Sequence, residues 1–195
     1  MYWQVFWHWP LSNYYLLMLK TTFRHCITAI VLCLPAVHSI AQDKKKIPVT
    51  TQVSIEGKVK HPFKVSDAEL DTMDHTTRDS IVIYNHLMEK RKTLKMVSGV
   101  PLKELLQQAE IDVESPKQLS EYYITCVAAD GYKVVFSWNE LFNTATGQKT
   151  MLVTSADGKP LNQLDDRIAL IAPEDVATGR RYVKGLSKVI VSRVK

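Results

Sequence analysis

The chain has 195 residues, of which 46% are hydrophobic and 23% are charged, and its formal net charge is +5. This balance is typical of a globular protein, and it excludes collagen, long disordered tracts and a protein with several membrane spans. Such a weak positive excess does not by itself indicate nucleic-acid binding and leaves room for a local anion site.

The first 41 residues differ in composition from the rest. They hold three of the four tryptophans and two of the three cysteines, but no acidic residue. If translation starts at Met18, a basic segment is followed by a short apolar segment at residues 27–37 and by a small-x-small cleavage site that ends at Ala41. We interpret residues 18–41 as a secretory signal peptide and residues 1–17 as an upstream extension.

The apolar segment is shorter than the about 20 residues that span a bilayer, so cleaved export is predicted rather than a membrane anchor. Residues 42–50 then form a lysine-rich tether and residues 51–195 form the domain, periplasmic or secreted and without stable membrane insertion. Cys126 is the single cysteine after the cleavage site, so an internal disulfide is excluded and packing must supply stability.

The first half of the mature chain predicts two strands and a short helix. Residues 52–60 alternate apolar and polar side chains, which predicts a strand with a bulge at Gly57. Ser66 to Glu69 form a capping box that starts a helix reaching Met73. Residues 81–84 are the next strand.

A helix and a hairpin follow. Pro101 suits the first turn of a helix whose apolar positions have the spacing of one helical face. These positions are Leu102, Leu105, Leu106 and Ala109. Residues 122–129 and 132–137 are β-rich and flank Asp130-Gly131, a pair that suits a type I′ turn, so an antiparallel hairpin is predicted.

The C-terminal third is dominated by short strands. A second capping box at Ser137 to Glu140 opens a short helix, and Asp157-Gly158 is a turn signal. The predicted strands are residues 151–154, 167–172 and 188–193. Many short strands with a few short helices, and no regular βαβ alternation, predict an α+β fold with a mixed, mostly antiparallel β-sheet.

The sequence lacks the common nucleotide-binding, zinc-protease, redox-thiol and hydrolase motifs, and no metal site is predicted. Cys126 lies within a strand, where a thiol behaves as a small hydrophobic residue. The densest cationic segment is residues 178–185, in which two arginines and a lysine lie beside glycines. Guanidinium groups and accessible backbone amides bind phosphate well, although a solvated loop has the same composition.

The order of five short segments resembles the oxidoreductase molybdopterin-binding domain family, which has the sulfite-oxidase-like fold. The segments are IEGKV at 55–59, GVPL at 99–102, ADGY at 129–132, DGKPL at 157–161, and residues 167–173 followed by YVKGL at 182–186. The resemblance runs from Val53 to Val194, which is most of the mature chain.

The resemblance implies a mixed α+β domain that holds molybdenum through a pterin whose phosphate is bound by basic and backbone groups. Carried over residue by residue, it implies three sets of cofactor contacts. The phosphate anchors are Arg180, Arg181 and Lys184. The residues that border the pocket are Gly99, Asp130 and Tyr132, and the polar contacts to the pterin are Asn85 and His86.

One feature departs from the family. Catalytic members supply a cysteine thiolate to molybdenum from the segment before the GVPL helix, but residues 81–98 contain no cysteine, so this soft ligand is missing there. Three functions stay open. The first is an exported molybdopterin-dependent oxidoreductase with a periplasmic redox partner. The second is a non-catalytic binding or interaction module derived from the fold, and the third is an exported β-rich ligand-binding domain.

Overall fold

The computed structural model describes residues 47–165 and 167–194. The predicted upstream extension, the signal peptide and the first part of the tether lie outside the described residues. The described residues form ten strands and four short α-helices. They are β1 (Gln52–Gly57), β2 (Phe63–Ser66), α1 (Asp67–Leu70), β3 (Thr76–Tyr84), β4 (Lys90–Pro101), α2 (Leu102–Ala109), β5 (Tyr122–Ala128), β6 (Lys133–Ser137), α3 (Trp138–Asn143), α4 (Ala145–Lys149), β7 (Met151–Ala156), β8 (Lys159–Pro160), β9 (Ala169–Ile171) and β10 (Leu186–Arg193).

The strands form two sheets. The first has the order β2-β1-β10-β5-β6, and the second has the order β3-β4-β7-β8, with β9 also paired to β7. The pair β1 and β10 is parallel, with Ile55 opposite Val189, whereas the other strand pairs are antiparallel. The predicted α+β class with a mixed, mostly antiparallel sheet is confirmed.

The larger core cluster lies against the first sheet and α2. All four apolar positions predicted for this helix are at most 1% exposed, which confirms its buried face. A smaller cluster, which includes Ile83, Leu94 and Val153, belongs to the second sheet. Full burial of one such side chain contributes about 1.5–3 kcal/mol, so these two clusters supply much of the stability. None of the helices in the described ranges is both long and apolar enough to cross a bilayer.

Both Asp-Gly turns form, but the first does not have the predicted type I′ conformation. The β5–β6 hairpin forms, but only Gly131 has a positive φ angle there, and the loop has three residues, closed by an Ala128 N–H bond to the Tyr132 carbonyl. A type I′ turn needs positive φ at both central residues. That combination occurs instead at Asp157 and Gly158, between β7 and β8.

Of the two predicted capping boxes, the first is complete and the second is only partly formed. At Ser66 both reciprocal hydrogen bonds with Glu69 form, although α1 ends at Leu70 rather than at Met73. At α3 only the Ser137 hydroxyl acts as predicted, accepting from the Glu140 N–H. The Glu140 carboxylate binds Arg181 instead, so a long-range ion pair replaces a local cap.

Candidate ligand-binding cavity

The ends of β3 and β4, the β5–β6 turn and a 3-10 turn at Thr178–Arg181 surround an open cavity of about 450 Å³, here named the cationic cavity. Its basic lining residues are Arg91, Lys92, Arg180 and Lys184. Three tyrosines also line it, namely Tyr84, Tyr132 and Tyr182. Among its described lining residues there is no carboxylate.

The 3-10 turn is fixed to the edge of the second sheet by Thr178. The buried Thr178 hydroxyl donates to the Val82 carbonyl at 2.7 Å and accepts from the Tyr84 N–H at 2.9 Å. The hydroxyl thereby satisfies backbone groups that an edge strand leaves unpaired. The next residue, Gly179, lies so close to the end of β3 that a Cβ added to it would be 2.6 Å from the Tyr84 carbonyl oxygen.

The other side of the turn is held by the β5–β6 hairpin. The Tyr132 hydroxyl donates to the Arg180 carbonyl at 2.6 Å. The backbone N–H of Tyr132 donates to the Asp130 carboxylate at 3.0 Å. The Arg180 side chain is exposed at the cavity, and it forms no ion pair with another described residue. The backbone of Arg180 is therefore fixed while its guanidinium is available to a ligand.

Arg181 points to a different environment. Its Nε donates to Asp175 Oδ2 at 2.6 Å, its Nη2 donates to Asp175 Oδ1, and its Nη1 donates to Glu140 Oε1 at 2.5 Å. The guanidinium also lies 4.4 Å from the ring centroid of Phe136. The bond to Asp175 is the main cause that raises the pKa of Arg181 above its usual value. The structure therefore places this expected phosphate anchor in an internal ion-pair network and not in the cavity.

Asn85 and His86 follow β3, at the cavity. The Asn85 side-chain oxygen accepts from the N–H groups of Leu87 and Glu89, each at 2.9 Å, and its amide donates to the Glu89 carboxylate at 2.7 Å. Asn85 thus closes the β3–β4 turn as well as lining the cavity, and His86 is an exposed lining residue.

Two basic residues of the cavity were not among the sequence-based candidates. Arg91 and Lys92 enter from the start of β4, and the run Lys90 to Lys92 is the signal that could have indicated them. The Lys92 ammonium lies 5.1 Å from the Tyr182 ring centroid, and the Lys184 ammonium lies 5.5 Å from it. Cation–π attraction thus groups these three side chains into one wall.

Of the eight sequence-based candidates, five line the cavity and three do not. The lining residues are Asn85, His86, Tyr132, Arg180 and Lys184. Besides Arg181, the residues outside it are Asp130, which caps the hairpin turn, and Gly99, which lies in β4. A Cβ at Gly99 would lie 2.4 Å from the Leu152 carbonyl oxygen, so its close strand contact requires glycine.

The position of Cys126 does not allow its sulfur to bind a metal at this cavity. Cys126 is the only cysteine within residues 47–165 and 167–194, and it is fully buried in β5. Desolvation raises the pKa of its thiol to about 12, so the thiolate that a metal requires is disfavoured. Within the same residues, no group of three or more His, Cys, Asp or Glu side chains lies close enough together to hold a metal ion. The basic residues, in contrast, fit a phosphate group.

Comparisons with known proteins give similarity of fold only. No protein-family model matches the sequence, and a search of curated proteins gives no match. The fold is similar to that of a solved structure, the sulfane dehydrogenase SoxCD from Paracoccus pantotrophus, with a TM-score of 0.57 and 17% sequence identity. The match covers 75% of this chain and 40% of that chain, so this chain spans less than half of the neighbour's length.

Proposed function

We propose that this protein is an exported binding domain that holds a phosphorylated, pterin-type ligand in the cationic cavity. The observation that carries the proposal is the convergence of basic side chains from separate parts of the chain. Arg91 comes from β4, whereas Arg180 and Lys184 come from the segment before β10. Guanidinium groups bind phosphate through paired, charge-assisted hydrogen bonds, which makes Arg180 the main anchor.

Size and aromatic content support a ligand larger than phosphate. A volume of about 450 Å³ falls within the roughly 300–1,000 Å³ of small-molecule sites. Tyr132 and Tyr182 line the cavity, and aromatic side chains pack favourably against flat heterocycles. The combination suits a phosphate that is joined to a planar ring system.

The fold and the sequence motifs support the pterin class. Five ordered motifs resemble the molybdopterin-binding family, and the fold is similar to that of a dehydrogenase, SoxCD. When bound, a molybdopterin supplies the dithiolene that carries a redox-active metal. In this chain Arg180 and Lys184 would hold its phosphate, while Tyr132 would fix the Arg180 backbone.

The position of sulfur favours the binding module over the molybdopterin-dependent oxidoreductase. The family's catalytic members provide a thiolate to the metal, but Cys126 is buried in β5 and does not line the cavity. The described chain therefore offers cations to the phosphate and no thiolate to a metal.

The test uses protein purified from its own host, with pterin measured by fluorescence after oxidation and molybdenum by mass spectrometry. We expect one pterin per chain with molybdenum far below one atom per chain, and loss of the pterin in Arg180→Ala. Arg193→Ala is the matched control, because Arg193, at the end of β10, pairs with Glu121 and lines no part of the cavity. Stoichiometric molybdenum would support the oxidoreductase instead. Wild-type protein that neither carries pterin nor binds added phosphate would reject both.

Export is a separate part of the proposal, and it rests on the signal-like residues 18–41. N-terminal sequencing of protein from the periplasmic fraction should give Gln42 as the first residue. Recovery in the cytosolic fraction of a chain that still begins at Met18 or Met1 would contradict export.

A further inference from the structure

The turn between β3 and β4 carries two adjacent apolar side chains that are exposed to water. The strands pair as far as Tyr84 and Lys90, and residues 86–92 are exposed without interruption. Leu87 is 65% exposed and Met88 is 48% exposed. We name this pair the apolar tip. Exposed apolar groups that are rimmed by polar residues mark contact sites for proteins or membranes.

Hydrogen bonds fix the conformation of the apolar tip. The Asn85 side-chain oxygen accepts from the Leu87 N–H and from the Glu89 N–H, each at 2.9 Å. The Met88 N–H donates to the Asn85 carbonyl at 3.1 Å. Met88 has a φ angle of 61°, which is costly for a residue other than glycine and persists only where the surroundings enforce it. The turn therefore holds both apolar side chains away from the core.

Basic side chains lie directly behind the apolar tip. The first three residues of β4 are exposed and basic, namely Lys90, Arg91 and Lys92. Arg180 and Lys184 line the same cavity as the last two of them. Glu89 is the single acidic residue from 85 to 92. Its carboxylate accepts from the Asn85 amide and lies 3.7 Å from Arg91 Nη1, so the surroundings of the tip are cationic.

We propose that the apolar tip docks on a membrane surface that is rich in anionic phospholipid. In the docked state Leu87 and Met88 lie at the boundary between headgroups and acyl chains, and the basic residues behind them lie among the lipid phosphates. Basic residues are attracted to an anionic leaflet. Apolar insertion and basic charge together hold a protein where either alone gives marginal binding. The contact is peripheral and reversible, and it does not require a ligand in the cationic cavity.

A lipid surface suits the apolar tip better than a second protein does. A stable protein interface needs roughly 800 Å² from each partner, and two side chains on a single turn provide much less. Lipids rearrange around an inserted side chain, so a membrane needs no matching surface. Its negative charge also complements Lys90 and the basic residues that follow.

The experiment is co-sedimentation of protein purified from its own host with two kinds of vesicle. One contains equal parts of phosphatidylglycerol and phosphatidylcholine, and the other contains phosphatidylcholine alone. We expect binding to the first kind, weakened by high salt, and little binding to the second. Leu87→Ser should weaken the binding by about tenfold, as for the loss of one buried leucine side chain. Lys90→Gln should weaken it by about fivefold, as for one basic residue near the surface.

Two control variants match these changes. Met96 is 65% exposed, as Leu87 is, but it lies within β4 away from the turn. Lys117 is exposed in the 3-10 segment that leads into β5, at the opposite end of that strand from the β5–β6 turn. Met96→Ser and Lys117→Gln should bind vesicles as the wild type does. All variants carry the same N-terminal residues, so differences among them report on the apolar tip.

A tryptophan at the tip provides a second measurement. The fluorescence of Leu87→Trp should shift to shorter wavelength with the anionic vesicles and stay unchanged with phosphatidylcholine alone. Wild-type protein that binds neither vesicle, or Leu87→Ser that binds as tightly as the wild type, overturns the proposal. If the wild type then forms dimers in light scattering and Leu87→Ser does not, a second copy covers the tip instead. Leu87→Ser should bind inorganic phosphate like the wild type, so this result is independent of the proposed function.

Discussion

The two consecutive arginines of the 3-10 turn should separate stability from binding. In Arg181→Ala the carboxylates of Asp175 and Glu140 lose their shared cation, and their side chains are only 13% and 30% exposed. Arg180→Ala removes a guanidinium that faces the cavity and has no ion pair within the described chain. The first change should therefore lower the free energy of unfolding, and the second should lower ligand affinity.

The magnitude follows from burial. Removal of one member of a buried ion pair costs about 3–5 kcal/mol, whereas an exposed pair contributes about 0–1 kcal/mol. The Arg181 side chain is 20% exposed, makes three side-chain hydrogen bonds and lies over Phe136. We expect a loss of about 3 kcal/mol for Arg181→Ala, near the lower end of the buried range. For Arg180→Ala we expect a change within about 0.5 kcal/mol, as for an ordinary surface substitution.

Urea unfolding measures these changes, and it should be repeated with saturating inorganic phosphate. Phosphate should stabilise the wild type because it binds the folded state alone, and this increment should disappear in Arg180→Ala. Arg181→Lys should be intermediate in stability, since lysine keeps the charge but not the paired geometry. Equal losses of stability in the two alanine variants, or a fully stable Arg181→Ala, would refute this division of roles.

Three further predictions concern the frame of the cavity and the core. Gly179→Ala, whose Cβ would lie 2.6 Å from the Tyr84 carbonyl oxygen, should lower stability by about 1–3 kcal/mol in urea and weaken phosphate binding by calorimetry. Thr178→Val removes the hydroxyl that bridges Val82 and Tyr84 and should cost about 1–3 kcal/mol in urea, whereas Thr178→Ser should retain most of the stability. Because burial raises the pKa of Cys126 from 9.0 to about 12, its thiol should not react with a disulfide reagent at neutral pH until the protein unfolds. The unfolded thiol loses its proton first, so the free energy of unfolding should fall between these two pH values, relative to Cys126→Val.

Each of these three predictions would be contradicted by a different result. Unchanged phosphate affinity in Gly179→Ala would mean that the contact with Tyr84 does not position Arg180. Equal stability of Thr178→Val and Thr178→Ser would assign no importance to the hydroxyl. Rapid labelling of native Cys126 would show that its strand opens easily.

Two kinds of strand are predicted from the sequence: those whose burial alternates, such as β5, and those that are buried almost throughout, such as β7. β5 alternates buried and half-buried residues from Tyr122 to Ala128, and its apolar pattern is visible in the sequence. β4 is not predicted by the same criterion. Leu94 and Val97 are buried three residues apart because Met96 has a φ angle of 47° and breaks the alternation. β4 is the longest strand of the second sheet, but its charged first residues and the positive φ angle of Met96 remove the alternating pattern that would predict it.

The turn types could not be assigned from the dipeptides. Asp130-Gly131 and Asp157-Gly158 have the same local chemistry, but the first belongs to a three-residue loop and the second to a two-residue loop. Loop length follows from the register of the paired strands, and that register depends on packing far from the turn. The sequence therefore predicts the position of each reversal and not its backbone conformation.

The same dependence on distant packing explains why the sequence predicts one phosphate site at residues 178–185, whereas the structure separates its two arginines. A 3-10 turn has three residues per turn, so the side chains of neighbouring residues point about 120° apart. Once Thr178–Arg181 forms such a turn, Arg180 and Arg181 are directed to different surroundings. The carboxylate of Glu140 that meets Arg181 lies 41 residues away in sequence, so no local pattern indicates the pair. The cavity combines Arg180 and Lys184 with Arg91 and Lys92 from β4, which means that the fold, rather than the density of charge along the chain, determines where an anion binds.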